Sequence, residues 1–148
     1  MSFKTIRPQI KTLLEGTSKF SEVVGYPKLK FAGYPAAYVI PSDNDNDYET
    51  NRENTRVYAF LVRCFVETKY RGIDEAIEAM EDLVDTVLDV LDEEDLKSSS
   101  TRTVAVSLPA KYTFLQILAH PSDWGEVTDP ALLMAEITVR VKISVDIS

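Results

Sequence analysis

The stretch that decides the fold is Ala135-Glu136-Ile137-Thr138-Val139-Arg140-Val141-Lys142-Ile143-Ser144-Val145-Asp146-Ile147. Apolar and polar residues alternate along it without a break. That is the period of a strand with one face buried and the other wet. Upstream, Arg56 to Thr68 predicts a second long strand. Tyr58, Phe60, Val62, Cys64 and Val66 share one of its faces; Val57, Ala59, Leu61 and Phe65 share the other, interrupted by Arg63. Both faces are largely apolar, so this strand is expected to be central and covered on two sides.

Gly72 to Leu96 lies between these strands and carries a helical pattern. Ile73, Ile77, Met80, Val84, Val87 and Leu91 step alternately by four and three residues, and Leu83 and Leu88 widen the stripe. Ser98-Ser99-Ser100 ends it. Nearer the N-terminus, Ser2 caps a helix through Phe3, Ile6, Ile10, Leu13 and Leu14 to Glu15, and Gly16 stops it. Pro8 falls past the first turn, which predicts a kink or a start near Arg7. Phe20 to Val24 predicts a short strand. Gly25-Tyr26-Pro27 and Gly33-Tyr34-Pro35 predict turns, and Ala36 to Ile40 a buried strand. Thr101 to Ser107 and Tyr112 to Ala119 predict two further strands, and His120 to Pro130 a turn-rich link.

The 148 residues fit one domain, 1–148, large enough to bury a core. The element order implies an α+β fold. Its sheet is mainly antiparallel, its two principal helices pack on one face, and a long acidic loop follows the second strand. That loop, Pro41 to Asn54, is polar except for Tyr48 and has no helical or strand period.

Composition excludes several classes. No apolar run approaches the roughly 20 residues that cross a membrane, and the basic start, Met-Ser-Phe-Lys-Thr-Ile, lacks the apolar block of a secretory signal. The single cysteine, Cys64, forbids an internal disulfide and points to a reducing compartment. The net charge of −8 is unevenly placed: residues 1–34 hold six basic and two acidic groups, and the remainder ten basic and 22 acidic. An acidic body argues against broad binding to nucleic-acid phosphates. The basic N-terminal third could instead meet the acidic body of a neighbouring copy, although two solvated surfaces are the simpler reading.

No set of side chains has the pattern of a catalytic centre. Asp43, Asp45, Asp47 and Glu49 alternate like the start of an EF-hand loop. However, Tyr48 stands where that loop needs glycine, and Asn54 where it needs a bidentate glutamate. A solvated acidic segment is the simpler reading. His120, Ser122 and Asp123 are adjacent in sequence, but a nucleophilic triad is a matter of geometry, and His-Pro-Ser-Asp-Trp-Gly has the chemistry of a turn with Trp124 packed over it. Cys64 on an apolar strand face is a buried, inert thiol, and one cysteine with one histidine cannot build a zinc site. Neither a metal nor a cofactor is implied.

The helix from Gly72 to Leu96 is the unusual element. It carries eleven acidic residues from Asp74 to Asp95 and no basic one. Like charges at i,i+4, as in Glu78/Asp82, Glu81/Asp85 and Asp85/Asp89, each cost a few tenths of a kcal/mol. Asp92, Glu93, Glu94 and Asp95 also oppose the helix dipole. A face that gives up stability in this way suits the repulsion of a polyanion.

Taken together, these stretches carry a family resemblance. They are Gly33-Tyr34-Pro35-Ala36-Ala37-Tyr38-Val39-Ile40-Pro41-Ser42-Asp43, the acidic loop, Asn54-Thr55-Arg56-Val57-Tyr58-Ala59-Phe60, Met80-Glu81-Asp82-Leu83-Val84-Asp85, and Ala135 to Val141. With them, most of the chain resembles the tail-terminator and neck proteins of long-tailed, siphovirus-type bacteriophages in element order and length. The resemblance implies a virion protein, assembled in the host bacterial cytoplasm, that forms a homohexameric ring. The ring would cap the tail tube and meet the head connector, while DNA passes its lumen without specific binding. On that reading, Glu78, Asp82, Asp85 and Asp89 are expected to face the DNA, and Asp43, Asp45, Asp47, Tyr48, Glu49 and Arg52 to form an assembly loop. Two alternatives stay open: a head–tail connector, and a small soluble binding module that uses residues 41–54.

Overall fold

The computed structural model describes residues 3–28, 30–47, 53–68, 72–97, 101–104, 112–127 and 131–146. The elements are α1 (Phe3–Gly16), β1 (Glu22–Val24), β2 (Ala36–Asp47), β3 (Glu53–Glu67), α2 (Gly72–Leu96), β4 (Tyr112–Val127) and β5 (Leu132–Asp146). The strands form one five-stranded sheet in the order β1-β2-β3-β5-β4. β1 runs parallel to β2 and every other pair is antiparallel, so the fold is α+β with a mainly antiparallel sheet.

The alternating C-terminal stretch is the partner that organises this sheet. β3 and β5 pair without a register break from Glu53↔Asp146 to Glu67↔Leu132. Period-2 side chains then place Tyr58, Phe60, Val62, Cys64 and Val66 on the same face as Leu133, Ala135, Ile137, Val139, Val141, Ile143 and Val145. Both helices cover that face. Ile6, Ile10 and Leu14 of α1 are fully buried against it, as are Ala76, Met80 and Val87 of α2. Burying three large apolar side chains yields roughly 1.5–3 kcal/mol each. That exceeds the roughly 3 kcal/mol cost of a helix-interior proline, and α1 accordingly runs through Pro8 from Phe3 to Gly16. α2 starts on Gly72 at φ 75°, a left-handed conformation that glycine adopts without penalty, and the Gly72 N–H is given to the Thr68 carbonyl at 3.2 Å.

Several expectations are corrected. Within residues 41–54, β2 continues through Asp47 and β3 starts at Glu53, so both ends are strand where loop is expected, and 48–52 lie outside the described residues. Pairing with β3, closed by Asp47↔Thr55, satisfies a polar backbone that hydropathy alone does not reveal. A register shift between Pro41 and Asn44 absorbs the proline, which lacks the ladder's donor. Likewise, His120 to Val127 is strand, with a register shift between Pro121 and Asp123, rather than a turn-rich link. Residues 101–104 are turn and bend where a strand is expected, and 105–111 lie outside the described residues. In α2, Ala76 is buried while Ile73 and Ile77 are 42% and 39% exposed, because the core ends before the helix's first turns do. Trp124, expected to pack as a lid, is exposed.

The second face of β3 also differs from expectation. Among the described residues, cover is confined to one end, where Val24, Tyr38, Phe65 and Leu132 form a small cluster with Phe31 and Tyr34. Val57, Leu61 and Arg63 are half-buried. The sheet therefore has a helix-covered face and a largely open one. The buried alternation predicts a sharp contrast: Val139→Asp puts a charge at a fully buried position and costs several kcal/mol against a total stability of roughly 5–15, so the variant should be insoluble or unfolded. Lys142→Gln, on the open face, should keep the wild-type circular dichroism and melt within a few degrees of it. Equal damage from both would contradict this assignment of faces.

Candidate functional site

The acidic residues of α2 divide into two groups by what they touch. Glu78, Glu81, Asp82, Asp85 and Asp89 are exposed. At 100° per residue they lie opposite the buried stripe of Ala76, Met80, Leu83, Val87 and Leu91. Asp82, Asp85 and Asp89 line a groove of about 520 Å³, together with Ala79, Leu83 and Thr86, closed on its other side by Lys19 and Pro35. Glu78 sits one turn beyond, on the same helix surface. Three of the four carboxylates expected to face DNA thus share one concave surface.

The carboxylates at the end of α2 do something else. Glu94 is fully buried, and its Oε2 accepts hydrogen bonds from the backbone N–H groups of Thr103 and Val104. Its Oε1 lies 3.4 Å from Lys97 Nζ. Asp95 Oδ1 accepts the N–H of Ile117 at 2.7 Å. Ile117 belongs to β4, an edge strand whose outer backbone groups would otherwise be open to another chain. These two acids therefore stitch the helix end to the following segment and to the sheet edge. Sequence reasoning missed this, because within one acidic run nothing distinguishes a buried acceptor from a solvated charge.

The open face of the sheet carries a polar chain that crosses four strands. Arg63 Nε donates to Glu136 Oε2 at 2.9 Å, and Arg63 NH1 donates to the Tyr38 hydroxyl at 2.8 Å. Ser122 Oγ donates to Glu136 Oε1 at 3.0 Å, and Thr138 Oγ1 donates to Ser122 Oγ at 3.1 Å. The Tyr38 hydroxyl first, and Glu136 after it, raise the Arg63 pKa against the opposing effect of burial. Ser122 is thus engaged with Glu136 while His120 points into solvent as an exposed residue, so these neighbours form no nucleophilic pair. Cys64 is fully buried and desolvation pushes its thiol up to about 12, far from a reactive thiolate.

Beyond this chain, the same face holds a groove of about 150 Å³ lined by Val57, Gln116, Leu118, Arg140 and Lys142. Among the described residues, no three His, Cys, Asp or Glu side chains converge on a point that would hold a metal ion. Asp43, Asp45 and Asp47 lie along the backbone of β2, and Tyr48, Glu49 and Arg52 lie outside the described residues.

Among the described residues, the distinctive polar chemistry of this α+β fold lies on two broad outer faces. No protein-family model and no curated protein matches the chain. Among solved structures it matches a chain of the "Virion of native gene transfer agent (GTA) particle" with a TM-score of 0.57 and 12% identity, over 95% of this chain and 92% of that one. At that identity the likeness establishes a shared fold across nearly the whole of both chains.

The buried role of Glu94 is directly testable. Glu94→Ala removes a charged acceptor from two backbone donors and should lower unfolding free energy by roughly 2–4 kcal/mol. Glu94→Gln should lose less, since its amide oxygen still accepts. A cost below about 0.5 kcal/mol for Glu94→Ala in urea titration, a value typical of surface positions, would show that the contact does not hold the segment.

Proposed function

We propose that this chain is a structural protein of a phage-type virion: a tail-terminator subunit that assembles as a hexameric ring, caps the tail tube and joins it to the head connector. The observation that carries this reading is the shared fold with a virion chain, which extends over 95% of this chain and 92% of the other. The resemblance noted in the sequence points the same way independently. The polar chain on the open face and the stitched helix end rigidify the subunit without preparing any chemistry, as a scaffold part requires. A head–tail connector is the near variant, differing in which neighbours it meets. A cation-binding module through residues 41–54 is less well supported, because a calcium loop wraps its ion with an irregular backbone, whereas residues 41–47 are paired strand.

In the ring, Glu78, Asp82, Asp85 and Asp89 would line the lumen. Their like charge repels passing DNA and keeps the wall from holding it. The proposed seat of the protein is the neck of the particle, reached after assembly in the bacterial cytoplasm.

Negative-stain electron microscopy tests the ring. Incubated with phage-type tail tubes that lack their terminal cap, the chain should appear as a six-fold ring at the tube end. Dimers, trimers or unbound particles in that mixture would contradict the reading. A second measurement tests the lumen. Replacing Glu78, Asp82, Asp85 and Asp89 by Gln or Asn relieves i,i+4 repulsion, so the melting temperature should hold or rise slightly. Rings should still form, and DNA ejection from the particle should slow. Unchanged ejection would remove the lumen role while leaving the ring intact.

A further inference from the structure

Two patches on opposite sides of the subunit have matching chemistry. On the open face of the sheet, Arg140 is half-buried beside Val57 and Leu118, and it makes no hydrogen bond or ion pair among the described residues. Lys142 borders the same groove. Leu118 is 52% exposed there. A guanidinium that has lost part of its water without gaining a carboxylate is costly unless something arrives to pair with it. The arrangement is an apolar floor with a cationic rim.

On the helix-covered side, the first turns of α2 present the converse. Ile73 and Ile77 are 42% and 39% exposed. Successive i,i+4 positions on the helix surface place Glu81 in line with them, with Asp74 and Glu78 on the adjoining row. This is an apolar ridge with an anionic rim. It is distinct from the groove of Asp82, Asp85 and Asp89 further along the helix.

We infer that the groove of Val57, Leu118 and Arg140 on one copy receives the Ile73–Glu81 ridge of α2 from a second copy. Leu118 and Val57 cover Ile73 and Ile77, while Arg140 meets Glu81. The two patches lie on opposite faces of the sheet, so no two-fold pairing can satisfy both. Each copy instead offers its ridge to one neighbour and its groove to the next, the heterologous geometry that generates closed rings or open chains. The contact leaves Asp82, Asp85 and Asp89 uncovered, so it is compatible with an acidic lumen. The inference deepens the ring reading and supplies its subunit contact, but the two fail separately in the experiment below.

The test uses the full chain with paired cysteines, since the native Cys64 is buried. The variant carrying both Ile77→Cys and Leu118→Cys, treated with a short bis-maleimide at high protein concentration, should give a ladder of covalent multimers. Each single-cysteine variant should give little product. Arg140→Glu added to the pair should reduce ladder yield about tenfold, and Glu81→Arg added to that should restore it, a rescue that a folding defect would not show. Absence of a ladder from the double variant, equal ladders from the single variants, or no rescue would overturn the inference. Rings on tail tubes without the 77–118 cross-link would leave the ring reading standing and sink this contact. A ladder without rings would do the reverse.

Discussion

The unbroken antiparallel ladder between β3 and β5 is the interaction on which everything else depends. It runs from Glu53↔Asp146 to Glu67↔Leu132 and joins a strand near the middle of the chain to its C-terminal strand. Because the side-chain period is 2, a one-residue slip would turn Phe60, Val62, Ile137 and Val139 from the core to the open face. All four are fully buried, so such a slip would cost many kcal/mol. The ladder therefore fixes register for the whole sheet, with β2 added on one side and β4 on the other.

Fixed register has a functional consequence. It sorts the chain's polar residues into two surfaces with opposite chemistry. The helix-covered side carries the acidic outer stripe of α2. The open side carries Arg63, Arg140 and Lys142, and Arg63 is held by Glu136 and Tyr38. The charge asymmetry is therefore not only between the N-terminal third and the rest of the chain, as composition implies, but also between the two faces of one sheet. Two unlike faces give the fold a direction, which is what the proposed head-to-tail assembly needs.

The sequence was most legible where burial enforces a period. The alternation from Ala135 onward located β5 and its buried face, and the helical stripe located α2 with its observed bounds, Gly72–Leu96. It was least legible where backbone pairing, rather than side-chain burial, decides the structure. Asn44 to Asp47 carries no apolar signal, yet β3 pairs with it. Pro121 and Gly125 punctuate a segment that β5 nevertheless holds as strand. Composition also could not separate Glu94 and Asp95, which accept backbone hydrogen bonds, from Asp82 and Asp89, which meet solvent. Residues of a proposed assembly surface leave no such pattern, because an outer surface is specified by what a partner presents and not by the chain's own core.

The central claim is that one rigid ladder presents two complementary outer faces to neighbouring copies. Hydrogen–deuterium exchange compared between the free chain and its assembled form tests it most directly. The β3 and β5 amides should exchange slowly in both states. On assembly, new protection should appear in the first turns of α2 around Ile73 to Glu81 and in β4 around Leu118. New protection confined to α1 and β1, with α2 and β4 unchanged, would contradict it.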